Sequence, residues 1–500
     1  MRILRVLGVI GKLVCWFSFA LAAPLLLSLW DSRASGAGNY AEAIPFAAAF
    51  AITWLGGWFM TRGFKKGLQF QRSEALGVVA GSWLIIAHFA AIPYLWEGMS
   101  FADAIFESMS GFTSTGATIL LDFDAHNRAF FLWRSITQWI GGLGIIALFV
   151  VILPQLGIAG RQLFFAESST APNEIISARV KESARKLWIL YLSLTIAVVV
   201  MLMSVSGWSI YDSVCHALTT VSAGGFSPDP LSIGGYQSPS AEWILTFFML
   251  LAGVSFPLIW ISIYRRPLEW LRDGEFRFYV LAWGSTALIL VFIHSGDHLS
   301  LEKFRQGLFQ CASLISSTGY ASTDYNLWGS APKALLLLIM LVGGCAGSAA
   351  GGAKAIRHLL ALKFLGREIK RVLHPRAILP VKHKGKEIPD PILRAMISLI
   401  LLYLLGYLLI GCILTIMGIP TETAFSAALG CLGNIGPGFG EVGPMGSYGN
   451  FPDAAKLLLT FAMWIGRMEL VAVLALFHID VIRRVRWTDE RKESSNGSAA

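Results

Sequence analysis

Four short stretches of the 500-residue chain hold the residue types from which a cation site can be built without charged ligands. After Ser100 the chain reads FADAIFESMSGFTSTG up to Gly116, and Ser209–Gly225 contains YDSVCHALTTVSAGG. Ser300–Gly319 contains FRQGLFQCASLISSTG, and Thr421–Gly436 contains ETAFSAALGCLGNIG. Each stretch opens on Ser or Thr, a helix N-cap type, runs amphipathically for about twelve residues, and ends in small or polar residues and a glycine. Glycine adopts backbone conformations closed to other residues, so the carbonyls ahead of it can turn to one side. Those carbonyls belong to Ser114 and Thr115, Ala223 and Gly224, Ser317 and Thr318, and Asn434 and Ile435, which precede Gly116, Gly225, Gly319 and Gly436. None of these positions carries a carboxylate. Such a donor set suits a monovalent ion dehydrated by dipoles rather than a divalent ion gripped by charge, and a ring of carbonyls can replace the hydration shell of potassium.

A single Ser/Thr-Gly stretch in a loop is ordinarily a turn; here the repetition carries the reading. The four glycines fall 109, 94 and 117 residues apart, an internal period of about a hundred residues. Each unit reads as span, half-length helix, loop, span. Irregular backbone at membrane depth is tolerated only where it lines water or is buried in protein, so four re-entrant loops belong around one axis. The C-terminal ends of their helices would each bring roughly half a negative charge to that axis.

The elements that must hold these loops are membrane spans. Hydrophobic residues make up 55% of the chain and charged residues 14%, where a soluble protein carries roughly 25% charged. Apolar runs long enough to cross about 30 Å of hydrocarbon recur. They lie near residues 5–30, 42–61, 75–96, 129–154, 186–206, 241–263, 277–294, 334–359, 392–416 and 455–481. The first is too long for a signal-peptide core and is expected to be retained. The expected fold is therefore an all-α polytopic membrane protein of about ten spans. Residues 1–68 form a two-helix N-terminal segment, 69–156, 180–265, 275–375 and 390–485 four pore repeats, and 486–500 a tail. Basic residues are segregated: ten lie between Lys354 and Lys386, and none between Glu422 and Asp453. This positive-inside signature sets the basic loops and both termini in the cytoplasm. It also argues against nucleic acid as the partner of the net charge of +9.

Two further features bear on control of such a pore. Gly343–Gly352, GGCAGSAAGG, interrupts the eighth span. Close helix packing through small residues is one account of it. A broken helix below the third filter loop, with Gly343, Gly344, Gly347, Gly351 and Gly352 free to swing across the pore, is the other. In the last span Arg467 and Glu469 are charges near mid-membrane, each costing roughly 2.5–3.5 kcal/mol unless it faces protein or water. Arg467 either pairs structurally or raises the barrier for cations beneath the filter. Arg134 and Gln138 are expected to be structural hydrogen-bond donors, and Glu107 is the other intramembrane carboxylate.

The stretches FESMSGFTSTGATIL, FLWRSITQWIGGLGIIALFVVILPQLGIAG, TTVSAGGFSPD, GGCAGSAAGGAKAIR, REIKRVLHP, GNIGPGFG and GRMEL, in that order, resemble the Trk, Ktr and HKT superfamily of potassium transporters, most closely its bacterial TrkH branch. The two extra N-terminal spans are similar to TrkH. The resemblance implies that Gly116, Gly225, Gly319 and Gly436 are filter glycines, that 343–352 is the intramembrane gating loop, and that Arg467 acts beside it. It also implies a homodimer in the bacterial inner membrane, with a TrkA-type cytosolic nucleotide-binding regulator. The chain has no Rossmann fingerprint of its own, so nucleotide control would come through that partner, and potassium is substrate rather than cofactor. Alternatives left open are a sodium- or proton-coupled symporter, whose coupling site would need Glu107 or Glu469, and a less selective potassium/sodium carrier. An enzyme is not expected, since the nine histidines are dispersed and form no catalytic cluster.

Overall fold

The computed structural model describes residues 2–34, 40–62, 72–151, 173–295, 300–468, 470–479 and 483. Glu469 lies outside them. Helix α1 (Ile3–Ser18) passes through a 3-10 turn into α2 (Ala22–Ala34), and α3 (Ile44–Thr61) packs back along α1. Small residues allow this contact, because a Cβ on Gly11 would stand 2.6 Å from the Gly57 carbonyl oxygen. Next come α4 (Arg72–Ala90), the short α5 (Ile92–Trp96), α6 (Phe101–Phe112) and α7 (Arg128–Val151). Helix α8 (Asn173–Ser206) leads to α9 (Ile210–Val221), α10 (Pro239–Ala252), α11 (Phe256–Tyr264) and the single turn α12 (Glu269–Arg272). The third stretch comprises α13 (Gly274–Ser295), α14 (Leu301–Ile315), α15 (Ser330–Met340) and α16 (Ala355–Leu373). A two-stranded hairpin of β1 (Lys382–His383) and β2 (Lys386–Glu387) precedes α17 (Asp390–Ile416), α18 (Thr421–Leu432), α19 (Asp453–Met468) and α20 (Leu470–Leu476).

Among the described residues, six helical runs are long and apolar enough to cross a bilayer: Ile3–Ala34, Tyr40–Thr61, Ser73–Trp96, Ala184–Ser206, Gly274–His294 and Asp390–Ile416. The chain is a multi-pass membrane protein. Helix α17 shows why such segments need lipid: only 17% of its most apolar window is buried by protein, and Leu401, Leu405, Leu408 and Leu409 all point outward. In water, that face would forfeit about 25 cal/mol for every Å² of apolar surface.

The sequence predicts one continuous span over 241–263, and the structure differs there. Helices α10 and α11 meet at a bend of 102°. The cause is local: Pro257 has no N–H to continue the ladder and disfavours helical backbone just before it. The span over 334–359 is broken where Gly343–Gly352 is expected to interrupt it, with α15 ending at Met340 and α16 starting at Ala355. Gly343, Gly347 and Gly352 within that gap have φ of +72°, +77° and +78°, which L side chains rarely adopt. Two large apolar cores flank the centre. One joins α1, α3, α4, α6 and α7 to the C-terminal helices, and the other joins α8 to α15.

Candidate functional site

The four short helices α6, α9, α14 and α18 share one design. Ser100 Oγ accepts from the Asp103 amide at 3.1 Å, Ser209 Oγ from Asp212 at 3.1 Å, and Ser300 Oγ from Lys303 at 3.2 Å. These caps satisfy amides left without partners at a helix start. The expectation that Thr421 caps the fourth helix is corrected: Pro420 holds the cap position with no side-chain bond, and Thr421 is already the first helical residue.

At their far ends all four helices close with the same turn. Ser114, Ala223, Ser317 and Asn434 are left-handed, with φ between +52° and +54°. The amides of Thr115, Gly224, Thr318 and Ile435 bond back to the carbonyls of Ser110, Thr219, Ser313 and Gly430 at 2.8, 2.8, 2.9 and 2.8 Å. This is a Schellman closure, reached without glycine at the left-handed position. Gly116, Gly225, Gly319 and Gly436 follow, with φ of +83°, +79°, +84° and +97°. Each first turn carries an acid (Asp103, Asp212, Glu302, Glu422), and no last turn carries a base, so nothing on the helices offsets the negative C-terminal ends.

The four turns meet in a closed ring. A Cβ on Gly116 would lie 2.2 Å from the Gly224 carbonyl oxygen, on Gly225 1.8 Å from that of Thr318, on Gly319 2.0 Å from that of Ile435, and on Gly436 2.6 Å from that of Thr115. Every seam is thus backbone against backbone, with the fourth turn returning to the first. Ser114, Thr115, Ala223, Ser317, Thr318, Asn434 and Ile435 are fully buried. All four glycines line a cavity of about 410 Å³, shared with residues that follow them, including Phe226, Asp229 and Glu441. The sequence-predicted residues of the four loops are therefore brought together around one centre.

Side chains behind the ring fix it in place. Arg134 Nε donates to Glu107 Oε1 at 2.7 Å, and the guanidinium also reaches Thr118 Oγ1 at 3.0 Å and the Ser227 carbonyl at 3.3 Å. Glu107 Oε2 accepts from the Ile119 amide at 2.9 Å. Gln138 clamps the second turn, donating from Nε2 to the Gly224 carbonyl at 2.7 Å and accepting at Oε1 from the Phe226 amide at 3.1 Å. Asn434 Nδ2 donates to Thr115 Oγ1 at 3.0 Å across the seam between fourth and first turns. Tyr448, which sequence reasoning missed, donates to the Gly436 carbonyl at 2.8 Å. Its only signal was an aromatic residue in a glycine-rich loop.

On the side of the ring away from the cavity lies the segment 343–352. The Gly351 amide donates to Ser317 Oγ, and a Cβ on Gly351 would stand 2.3 Å from the Gly433 carbonyl oxygen. The segment interlocks with the α10–α11 bend: the Cys345 amide donates to the Gly253 carbonyl at 2.8 Å, and the Phe256 amide to the Gly347 carbonyl at 3.0 Å. Arg467, 2% exposed, donates from Nη1 to the Ala349 carbonyl at 2.9 Å and from Nη2 to Ser114 Oγ at 3.3 Å. It joins segment to ring, and its buried Nε has no acceptor among the described residues.

The model of the TrkH family, described as cation transport protein, matches residues 45–482. The chain is 34% identical to the Trk system potassium uptake protein TrkG of Escherichia coli, over 93% of this chain and 96% of that one. It is 33% identical to the Trk system potassium uptake protein TrkH of Halomonas elongata, over 95% of this chain and 98% of that one. The crystal structure of the potassium transporter TrkH from Vibrio parahaemolyticus superposes with a TM-score of 0.86 at 31% identity, covering 96% of this chain and 100% of that chain. With a family match of that extent and relatives aligned end to end, the chain belongs to the TrkH family of cation transport proteins, a family of transporters and not of enzymes.

Proposed function

We propose that this chain carries potassium into the bacterial cell across the inner membrane, through one channel-like pore whose narrowest part is the glycine ring. The observation that carries this reading is the ring itself. Four identical left-handed turns, backed by four helix C-termini and free of carboxylates, offer carbonyl dipoles to a dehydrated monovalent cation. In this reading the filter comprises Ser114–Gly116, Ala223–Gly225, Ser317–Gly319 and Asn434–Gly436. The chain then has about ten spans, arranged as an N-terminal pair (1–68) and four repeats (69–156, 180–265, 275–375, 390–485), with both termini cytoplasmic. Its relatives are named for potassium uptake, which supports the choice of ion.

The segment 343–352 is the gate in this reading, with Arg467 as its positive pin beneath the filter. A buried cation there raises the energy of a permeating one. A TrkA-type regulator and a second copy of the chain complete the assembly, and any nucleotide acts through the regulator. Glu107 is engaged by Arg134 and by the Ile119 amide, which disfavours it as an ion-coupling carboxylate and favours uncoupled conduction. Rubidium flux into liposomes containing the purified chain tests this. Full flux in the absence of sodium and of a proton gradient is expected. Flux that requires either one refutes uncoupled conduction, and failure to restore growth of a potassium-uptake-deficient bacterium on low potassium refutes the function.

A further inference from the structure

Glu275, one residue into α13 at the cytoplasmic end of that span, accounts for nothing in the filter, yet it is 9% exposed. Its Oε1 accepts from the Ala346 amide at 2.6 Å. Ala346 is in the segment 343–352, so a side chain from the membrane boundary holds the segment's backbone. An internal carboxylate is costly to bury unless it is bonded, and this one is bonded to the segment.

The neighbouring residues extend the contact outward. Asp273 caps α13, its Oδ1 accepting from the amides of Glu275 at 2.8 Å and Phe276 at 3.0 Å. Its other oxygen, Oδ2, pairs with Lys384 Nζ at 2.8 Å. Lys384 sits at the tip of the β1–β2 hairpin, with φ +48°, and its side chain is 56% exposed. The hairpin is also packed against the segment. Ala346 and Val381 share a small apolar cluster with Ile356 and Leu360 of α16 and Leu393 of α17, separate from the two large cores. Two parallel routes, one polar and one apolar, therefore run from the exposed hairpin to Ala346.

We propose that Glu275 is a positioning residue of the gate, a latch that holds the segment 343–352 seated beneath the ring, and that the Asp273–Lys384 pair transmits hairpin movement to it. This rests on the gate reading above. Pulling the hairpin away from α13 removes the ion pair and withdraws Val381 from the cluster it shares with Ala346, so the Glu275 bond loses its support from both routes. A cytosolic partner gripping the hairpin would in this way weaken the segment's hold at Ala346 without touching it.

The test is rubidium flux into liposomes by the full-length chain without any partner, with the rubidium-to-sodium permeability ratio read in parallel. Glu275→Ala is expected to raise basal flux about ten-fold, on the scale of one charge-assisted hydrogen bond, with the ratio unchanged. Glu275→Gln, which keeps an acceptor oxygen, is expected to recover most of the restraint. Lys384→Glu, an exposed substitution that leaves the core intact, is expected to raise flux about three-fold by reversing the pair with Asp273. It decides the matter if Glu275→Ala does not fold. Arg467→Ala is the control for the gate itself. If Arg467→Ala leaves flux unchanged, the gate reading falls and the latch with it. If Arg467→Ala raises flux while Glu275→Ala and Lys384→Glu do not, the latch alone is overturned. Equal flux from the Ala and Gln variants, or loss of the permeability ratio in Glu275→Ala, also overturns it.

Discussion

Substituting Gly116 by serine is the sharpest probe of the ring. The new Cβ would meet the Gly224 carbonyl oxygen at 2.2 Å and Gly225 Cα at 3.7 Å. Carbon atoms pack at about 3.5–4.0 Å, so the first seam must open by about 1 Å. The backbone itself resists, since φ at position 116 is +83°, which costs a non-glycine residue roughly 1–2 kcal/mol. The Gly224 oxygen cannot simply retreat either: Gln138 Nε2 holds it at 2.7 Å, and losing that bond costs about 1 kcal/mol. The total is about 2–3 kcal/mol. If half appears as distorted ion coordination, potassium loses about ten-fold of its advantage over sodium, equivalent to about 1.4 kcal/mol. The assay is the permeability ratio from reversal potentials across a bilayer. Gly98 supplies the matched control, because its φ is +86° but a Cβ there meets nothing within 4 Å. Gly98→Ser bears the torsional cost alone and is expected to keep the ratio. A folded Gly116→Ser protein with an unchanged ratio refutes the filter assignment.

Three other outcomes are expected. Gln138→Leu removes both bonds of the clamp on the second turn and is expected to lower the permeability ratio while costing about 1–3 kcal/mol of stability, read as a lower unfolding midpoint in detergent. Arg134→Met leaves Glu107 buried and unpaired and is expected to destabilise by about 3–5 kcal/mol; an unfolding midpoint equal to the parent's shows that the pair is not structural. The third concerns pH at the hairpin. Burial raises the Asp273 carboxyl, but the bond and charge of Lys384, together with the Phe276 amide and His383, outweigh it and leave the group below its ordinary 3.8. Its contribution is therefore fully present above about pH 4 and is lost as pH falls through the depressed value. Protection factors in 382–387, which divide out the intrinsic pH dependence of amide exchange, are expected to fall as pH drops below about 4. Protection that is unchanged on crossing that window contradicts the pairing.

Much of the ring was legible in the chain because its requirements are local. Positive φ calls for glycine at 116, 225, 319 and 436, and short helices call for the caps Ser100, Ser209 and Ser300. Thr421 was misassigned because residue type alone does not say which of two neighbours takes the cap, and the fixed φ of Pro420 decides it. The break between α10 and α11 was hidden by hydropathy, which averages across Gly253 and Pro257 and reads an unbroken apolar run. The partners behind the ring were illegible for a different reason. Glu107 could be recognised as an intramembrane carboxylate, and Arg134 as a donor, but nothing in one sequence ties residues 27 positions apart on different helices. Glu275 was lost among the basic residues that surround it, Arg265, Arg266, Arg272 and Arg277. What one sequence omits is pairing across distance.

The seam between the fourth and first turns has a consequence for biosynthesis. Asn434 and Thr115 are joined across 319 residues, so the ring stays open until nearly the whole chain has been made. A ribosome that stalls, or a protease that clips the C-terminal quarter, leaves three turns with no closing neighbour. On the pore reading proposed above, truncated chains in the bilayer lack the closed ring through which an ion would pass.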